Sequence, residues 1–201
     1  MSQRIVLASS NPGKLREFAA LLGDSGLEVI PQTRLGVDDA DETGLTFVEN
    51  ALLKARHAAQ VSGLPSLADD SGLCVDHLHG RPGLYSARYS GDHGDATANN
   101  AKLLSELEGV PAAQRGAFFI CVLVLLQHAD DPAPLIAEAR WHGRILTEGR
   151  GQGGFGYNPV FLPDGYQESV AEMEDALKNR LSHRGQALAM LRGRLSEFAL
   201  A

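Results

Sequence analysis

The chain has 201 residues, a formal charge of −7, and 44% hydrophobic against 21% charged residues, enough for one sizeable core or two closely joined lobes. That acidity excludes a nucleic-acid polymer as the natural partner, because such proteins carry a basic footprint, while a small phosphorylated ligand needs only a local basic cluster. The longest apolar run, Ala117 to Leu126, is too short to span a bilayer as a helix. No basic and apolar leader opens the chain, and Cys74 and Cys121 lie in apolar strand-like runs without metal-ligand spacing. A cytoplasmic setting is the simpler expectation.

Arg4 to Ala8 reads as a buried first strand. Ser9-Ser10-Asn11-Pro12-Gly13-Lys14 follows as a polar turn, then a helix with Leu15, Phe18, Ala19 and Leu22 on one face. This arrangement presents backbone N–H groups and a lysine at a helix N-terminus, which suits phosphate. It is not a P-loop, which needs Gly where Ala8 stands and Ser or Thr where Leu15 stands. Read alone, it serves equally as an ordinary capped turn with a solvated lysine.

Leu27 to Pro31 is a second short strand, and Asp38-Asp39-Ala40-Asp41-Glu42 an acidic loop. Thr46 and Glu49 make a capping box for a helix running to about Ser62. Its apolar stripe is Val48, Ala51, Leu52, Ala55 and Ala59, and Gly63 is its stop. Asn50 and Lys54, four apart, can point together towards one site, although an exposed polar pair has the same spacing.

Leu67-Ala68-Asp69-Asp70-Ser71-Gly72 sets two adjacent carboxylates between an apolar run and a Ser-Gly break. A strand is expected to emerge into a turn there. Rigid sheets fix side chains at their open edges, and a carboxylate pair is a natural site for a hard cation with substrate phosphates. The competing reading is an Asx turn without chemistry.

Leu73-Cys74-Val75 returns as a strand, and His79 to Gly91 is a long Gly-, Arg- and Tyr-rich loop in which Arg88 can pair with phosphate. Ala96 to Leu107 makes a third helix. Gly116 to Gln127 is an apolar strand expected in the sheet centre, and Leu135 to Leu146 mixes apolar and polar residues like antiparallel strands with one wetter face. Gly149 to Pro159 brackets two aromatics with glycines; Phe155 or Tyr157 can stack on a nucleobase and Asn158 read its edge. Lys178 follows, and Ser182 caps a last helix with Ala187, Leu188, Leu191, Leu195 and Phe198 as its apolar face. His183 and Arg184 in its first turn oppose the helix dipole, so an anionic or carbonyl-bearing ligand is expected there.

Taken together, Ser10-Asn11-Pro12-Gly13-Lys14, Glu42-Thr43-Gly44-Leu45-Thr46-Phe47, Glu49-Asn50-Ala51 and Ala68-Asp69-Asp70-Ser71-Gly72 resemble the inosine triphosphate pyrophosphatase family, in particular its bacterial RdgB-type dITP/XTP pyrophosphatases. Pro82 to Arg88, Gly154-Phe155-Gly156-Tyr157 and Ser182-His183-Arg184 complete the pattern, in the right order and over nearly the whole chain. The resemblance implies an α/β fold, with residues 1–201 a single pyrophosphatase domain. A long mixed β-sheet with flanking helices would form two lobes around a nucleotide-binding cleft, in a homodimer.

It also implies Mg²⁺-dependent hydrolysis of dITP, ITP and XTP or dXTP to the monophosphate and pyrophosphate, which cleanses the nucleotide pool. By position, Asp70, with Asp69 beside it, would be the catalytic carboxylate, and Asp70 would also bind the metal, with Asp41 or Glu42 completing the metal site. Ser9, Ser10, Asn11, Pro12, Gly13, Lys14, Lys54 and Ser71 would bind the phosphate side of the substrate. Phe155, Gly156, Tyr157, Asn158, Lys178, His183 and Arg184 would surround base and sugar. The family usually carries Asp where Asn158 stands, which touches base selection.

The chemistry agrees with that pattern. Phosphoanhydride cleavage needs charge neutralisation and an oriented water more than covalent catalysis, and Asp70-Ser71-Gly72 is no nucleophile elbow. A Maf-like pyrophosphatase would share the phosphate turn and the carboxylates, but not Ser182-His183-Arg184 or the Gly-Phe-Gly-Tyr loop. A non-catalytic nucleotide sensor would gain little from acids beside a polyphosphate.

Overall fold

The structure, a computed structural model, describes residues 3–23, 27–91 and 94–197. Six strands form one mixed sheet: β1 (Gln3–Ala8), β2 (Leu27–Pro31), β3 (Ser66–Val75), β4 (Gly116–Leu126), β5 (Leu135–Ile145) and β6 (Phe161–Pro163). Their order is β2-β1-β3-β4-β5-β6. β1 runs parallel to β2, with Ile5 opposite Val29, and to β3, with Leu7 opposite Leu67; β5 and β6 are antiparallel. As expected from its unbroken apolar run, β4 is an interior strand, whereas β5 alternates buried and exposed residues along its length.

Among the described residues five α-helices accompany the sheet: α1 (Pro12–Leu22), α2 (Phe47–Ser62), α3 (Ala96–Glu106), α4 (Asp175–Leu181) and α5 (His183–Gly193). α1 begins inside the polar turn rather than after it. Asn11 takes the cap, its Oδ1 accepting from the Gly13 and Lys14 N–H groups at 2.9 and 3.1 Å, and Pro12 fits the first helical position. Phe18 and Leu22 are buried as expected, but Ala19 is exposed and Glu17 takes a buried place. α2 starts on the expected box: Thr46 Oγ accepts from the Glu49 N–H, and Glu49 reaches back to the Leu45 N–H at 2.9 Å. β6 and α4 were not anticipated, being too short to carry a periodic pattern. Phe198, expected on the last apolar face, lies outside the described residues.

The chain divides into two compact units. The first holds residues 1–70, 121–139 and 184–201, the second residues 71–120 and 140–183. The first is built on Ile5, Leu7, Phe18, Leu67, Leu123, Leu125 and Leu188, the second on Leu73, Leu103, Phe119, Trp141, Ile145 and Phe161. Each fully buried side chain of this size stabilises its unit by about 1.5–3 kcal/mol. Among the described residues no helix is long and apolar enough to cross a membrane.

β3 corrects the expected turn. The strand runs unbroken through Asp69, Asp70, Ser71 and Gly72, so the two acids sit mid-strand. Successive residues of a strand face opposite ways, and the neighbouring carboxylates therefore meet different partners rather than forming a pair. Turn propensity loses because each acid has a cation waiting for it.

Candidate active site

Asp69 is fully buried on β3 and fully engaged. Its Oδ1 accepts from Lys14 Nζ at 2.5 Å; its Oδ2 accepts from Arg184 Nε at 2.8 Å and from Cys121 Sγ at 3.3 Å. Burial alone would raise its pKa, but Arg184 and then Lys14 outweigh it and hold the carboxyl well below the usual range. The same burial pushes the Cys121 thiol far up, with the Asp69 charge adding to it, so Cys121 stays a neutral donor. Both oxygens of Asp69 are thus engaged by partners within the protein.

Arg184 is buried at the start of α5, donating through Nη1 to Glu17 of α1 as well as through Nε to Asp69. Two of the protein's own carboxylates thus balance a cation in this first turn.

Asp70 faces Lys54. Lys54 Nζ, on α2, donates to Asp70 Oδ1 at 2.6 Å and to Glu42 Oε1 at 3.0 Å, holding two carboxylates on one ammonium. Burial works against the Lys54 charge, but Asp70 and Glu42 outweigh it and its pKa is raised. On Asp70 burial wins over the pull of Lys54 and Lys14, and the neighbouring Glu42 adds to it, so this carboxyl too sits above its usual value. It is thus a stronger base than an exposed aspartate, within reach of solvent at 6% exposure.

Glu42 owes its position to a pinned loop. Asp39 accepts from Ser10 Oγ at 2.7 Å and from Gln32 Nε2 at 2.5 Å, while His57 Nε2 meets the Asp38 carbonyl at 3.0 Å. Buried Asn50 accepts from the Gly44 N–H at 2.8 Å, and a Cβ on Gly44 would lie 2.7 Å from that same amide oxygen. Asn50 thus braces the loop rather than pointing into the site with Lys54. Asp41 is exposed, and the acid brought to Asp70 through Lys54 is Glu42. Among the described residues no three His, Cys, Asp or Glu side chains gather as a ready-made metal nest. Two oxygen donors facing one cation nonetheless fit a divalent ion that takes its remaining ligands from phosphates and water.

In the turn before α1, Ser9 Oγ accepts from the Asn11 N–H and Ser10 is tied to Asp39. The Gly13 and Lys14 N–H groups are already capped by Asn11. What the turn offers a phosphate is therefore the Lys14 side chain, 16% exposed, more than free backbone amides.

In the second unit the Gly-rich loop is pinned rather than flexible. The Gly153 N–H donates to the Ala171 carbonyl, and Asn100 Nδ2 to the Gly156 carbonyl, both at 3.0 Å. Tyr157 is buried and its hydroxyl donates to the Ser86 carbonyl at 2.9 Å. Asn158 is buried as well. Oriented to satisfy both ends, its amide donates to the Phe155 carbonyl at 3.1 Å and accepts from the Phe155 N–H at 3.2 Å. Gly154, at φ +76°, makes this possible, since a Cβ there would fall 1.9 Å from the end of the Asn158 amide. Asn158 therefore shapes the loop through the Phe155 main chain. Phe155 stays part-exposed with Lys178 Nζ 5.8 Å from its ring centre, and His183 stacks on Phe119 at 4.9 Å. Ser71 follows on β3 in the same unit, part-exposed.

The sequence pattern of the Ham1 family matches residues 5–194. The chain belongs to the Ham1 family. A protein of Xanthomonas oryzae pv. oryzae named dITP/XTP pyrophosphatase is 61% identical over 98% of this chain and 100% of its own length. The solved Ham1 protein of Coxiella burnetii shares 48% identity at a TM-score of 0.89, covering 97% of this chain and 99% of its own. The nucleoside-triphosphatase, or dITP/XTP pyrophosphatase, of Mycobacterium abscessus shares 43% at 0.76, covering 94% and 97%. The family match agrees with the resemblance drawn from the motifs.

Glu17, Gln32 and Cys121 in the first unit and Asn100 in the second brace the residues described above, and the motifs did not single them out as site candidates. Glu17 left one trace in the sequence: it stands three residues after Lys14 and therefore shares its helix face. The others are reached only through long-range partners, and nothing local marks them.

Proposed function

We propose that this chain hydrolyses non-standard purine nucleoside triphosphates (dITP, ITP and XTP or dXTP) to the monophosphate and pyrophosphate, with Mg²⁺, and so cleanses the nucleotide pool. The observation that carries the reading is the Glu42–Lys54–Asp70 arrangement in a chain 61% identical to a relative named for this activity. Asp70, raised in pKa and touching solvent, takes the proton of a water it orients. Lys54 and Lys14 offer ammonium groups to the phosphates, and the capped turn from Ser9 to Lys14 fixes where Lys14 starts. Bound by Glu42 and Asp70, Mg²⁺ would supply neutralisation of the polyphosphate charge. Phe155 is the stacking surface for the base, with Lys178 and His183 near the same loop and helix junction. The reading carries with it a cytoplasmic homodimer acting on small nucleotides, as the resemblance implies.

The test is kcat/KM for dITP, XTP, dGTP and dATP with Mg²⁺ and with a chelator. dITP and XTP are expected to exceed dATP by about 10² or more, because a site built for a 6-oxo purine leaves its polar groups unpaired against adenine. Activity is expected to vanish with the chelator. Equal turnover of all four, or full activity without metal, overturns the reading.

A further inference from the structure

We infer that Glu17 is a positioning residue for the phosphate end of this reaction, acting on Lys14 through Arg184 and Asp69. The inference rests on the reading of Lys14 as a phosphate group's partner. Four side chains of alternating sign form one line, Lys14–Asp69–Arg184–Glu17, entirely within the first unit. Their side-chain exposures are 16, 0, 3 and 10%, so the line is buried in the middle and opens to solvent most at the Lys14 ammonium.

Buried ion pairs contribute less to stability than well-packed apolar residues of the same volume, so stability alone is a weak reason for such a line. Geometry offers a better one. A guanidinium is a planar fork, and fixing one arm on Glu17 sets the plane in which Nε points at Asp69 Oδ2. Asp69 Oδ2 is held again by Cys121 Sγ, which leaves Oδ1 with one direction in which to receive Lys14. Both ends of the line, Lys14 and Glu17, stand on the first turns of α1, three residues apart. The helix closes the line into a ring, and the ammonium cannot shift without disturbing three charges behind it.

The experiment is a double-mutant cycle with Lys14→Met, Glu17→Gln and the double variant, each shown folded by its Tm. Two quantities are read: kcat/KM for XTP, and the Kd of inorganic triphosphate by calorimetry. Glu17→Gln is expected to lose on the order of tenfold in both in the wild-type background, and less than about twofold once Lys14 is Met. The same factor in both backgrounds, or no loss in either, overturns the inference. Should Glu17→Gln not fold, Glu17→Asp keeps the charge but shortens its reach, and its smaller loss must likewise vanish in Lys14→Met. An inactive wild-type protein would refute the pyrophosphatase reading alone, since the triphosphate-binding cycle still decides the role of Glu17.

Discussion

Replacing Arg184 with Met removes the central cation of the buried line while keeping a long apolar side chain in its place. Glu17 and Asp69 then both lose their ion pairs to the buried guanidinium, while Asp69 keeps its bonds to Lys14 and Cys121. Breaking a buried ion pair from one side costs about 3–5 kcal/mol, a large share of the roughly 5–15 kcal/mol that holds a domain of this kind folded. With a urea dependence of about 2 kcal/mol per molar, the unfolding midpoint should drop by roughly 1.5–2.5 M at pH 7, read by circular dichroism.

The pH dependence carries a second signature. A carboxyl depressed in the folded state contributes stability that is present above its ordinary value of 3.8 and is lost as pH falls through its folded value. In the wild-type protein this loss is confined below about pH 4. In Arg184→Met, burial of Asp69 is no longer opposed by its largest counter-charge, so its pKa rises and acid sensitivity moves upward. A midpoint shift of less than about 0.5 M with an unchanged acid profile would refute the account of Arg184 as a structural cation.

Asp70→Asn should lower kcat by roughly two orders of magnitude or more while leaving the fold intact, and near-normal turnover would move the base elsewhere. Phe155→Ala should raise KM for dITP and XTP by about tenfold through lost stacking. Tyr157→Phe should leave KM alone and cost about 1 kcal/mol of stability, through the lost bond to the Ser86 carbonyl. The reverse pattern would exchange the two aromatics' roles.

The elements that carry strong local signals were legible in the sequence. Thr46, Glu49 and Gly63 bound α2 where their capping chemistry says they should, and the apolar run of β4 lies inside the sheet. What local chemistry misjudged was charge. Asp69-Asp70-Ser71-Gly72 has the composition of a turn, yet cations from α1, α2 and α5 neutralise both acids and keep the strand straight. Arg184 and Asn158 looked like ligand contacts because each breaks a local expectation. The partners that account for them, Glu17 and Asp69 for one and the Phe155 main chain for the other, are fixed by tertiary packing or by a loop whose shape only the fold supplies. Lys54 was placed on the right helix face, but its bridge between Glu42 and Asp70 depends on the brace of the acidic loop by Ser10, Gln32 and Asn50.

The most direct test of the central claim is the identity of the products from a single turnover of dITP with Mg²⁺, separated by ion-exchange chromatography. The account predicts dIMP and pyrophosphate in equal amounts, with no dIDP and no orthophosphate at any time point. The appearance of dIDP with orthophosphate would mean attack at the terminal phosphate and would contradict it, as would the absence of any cleavage.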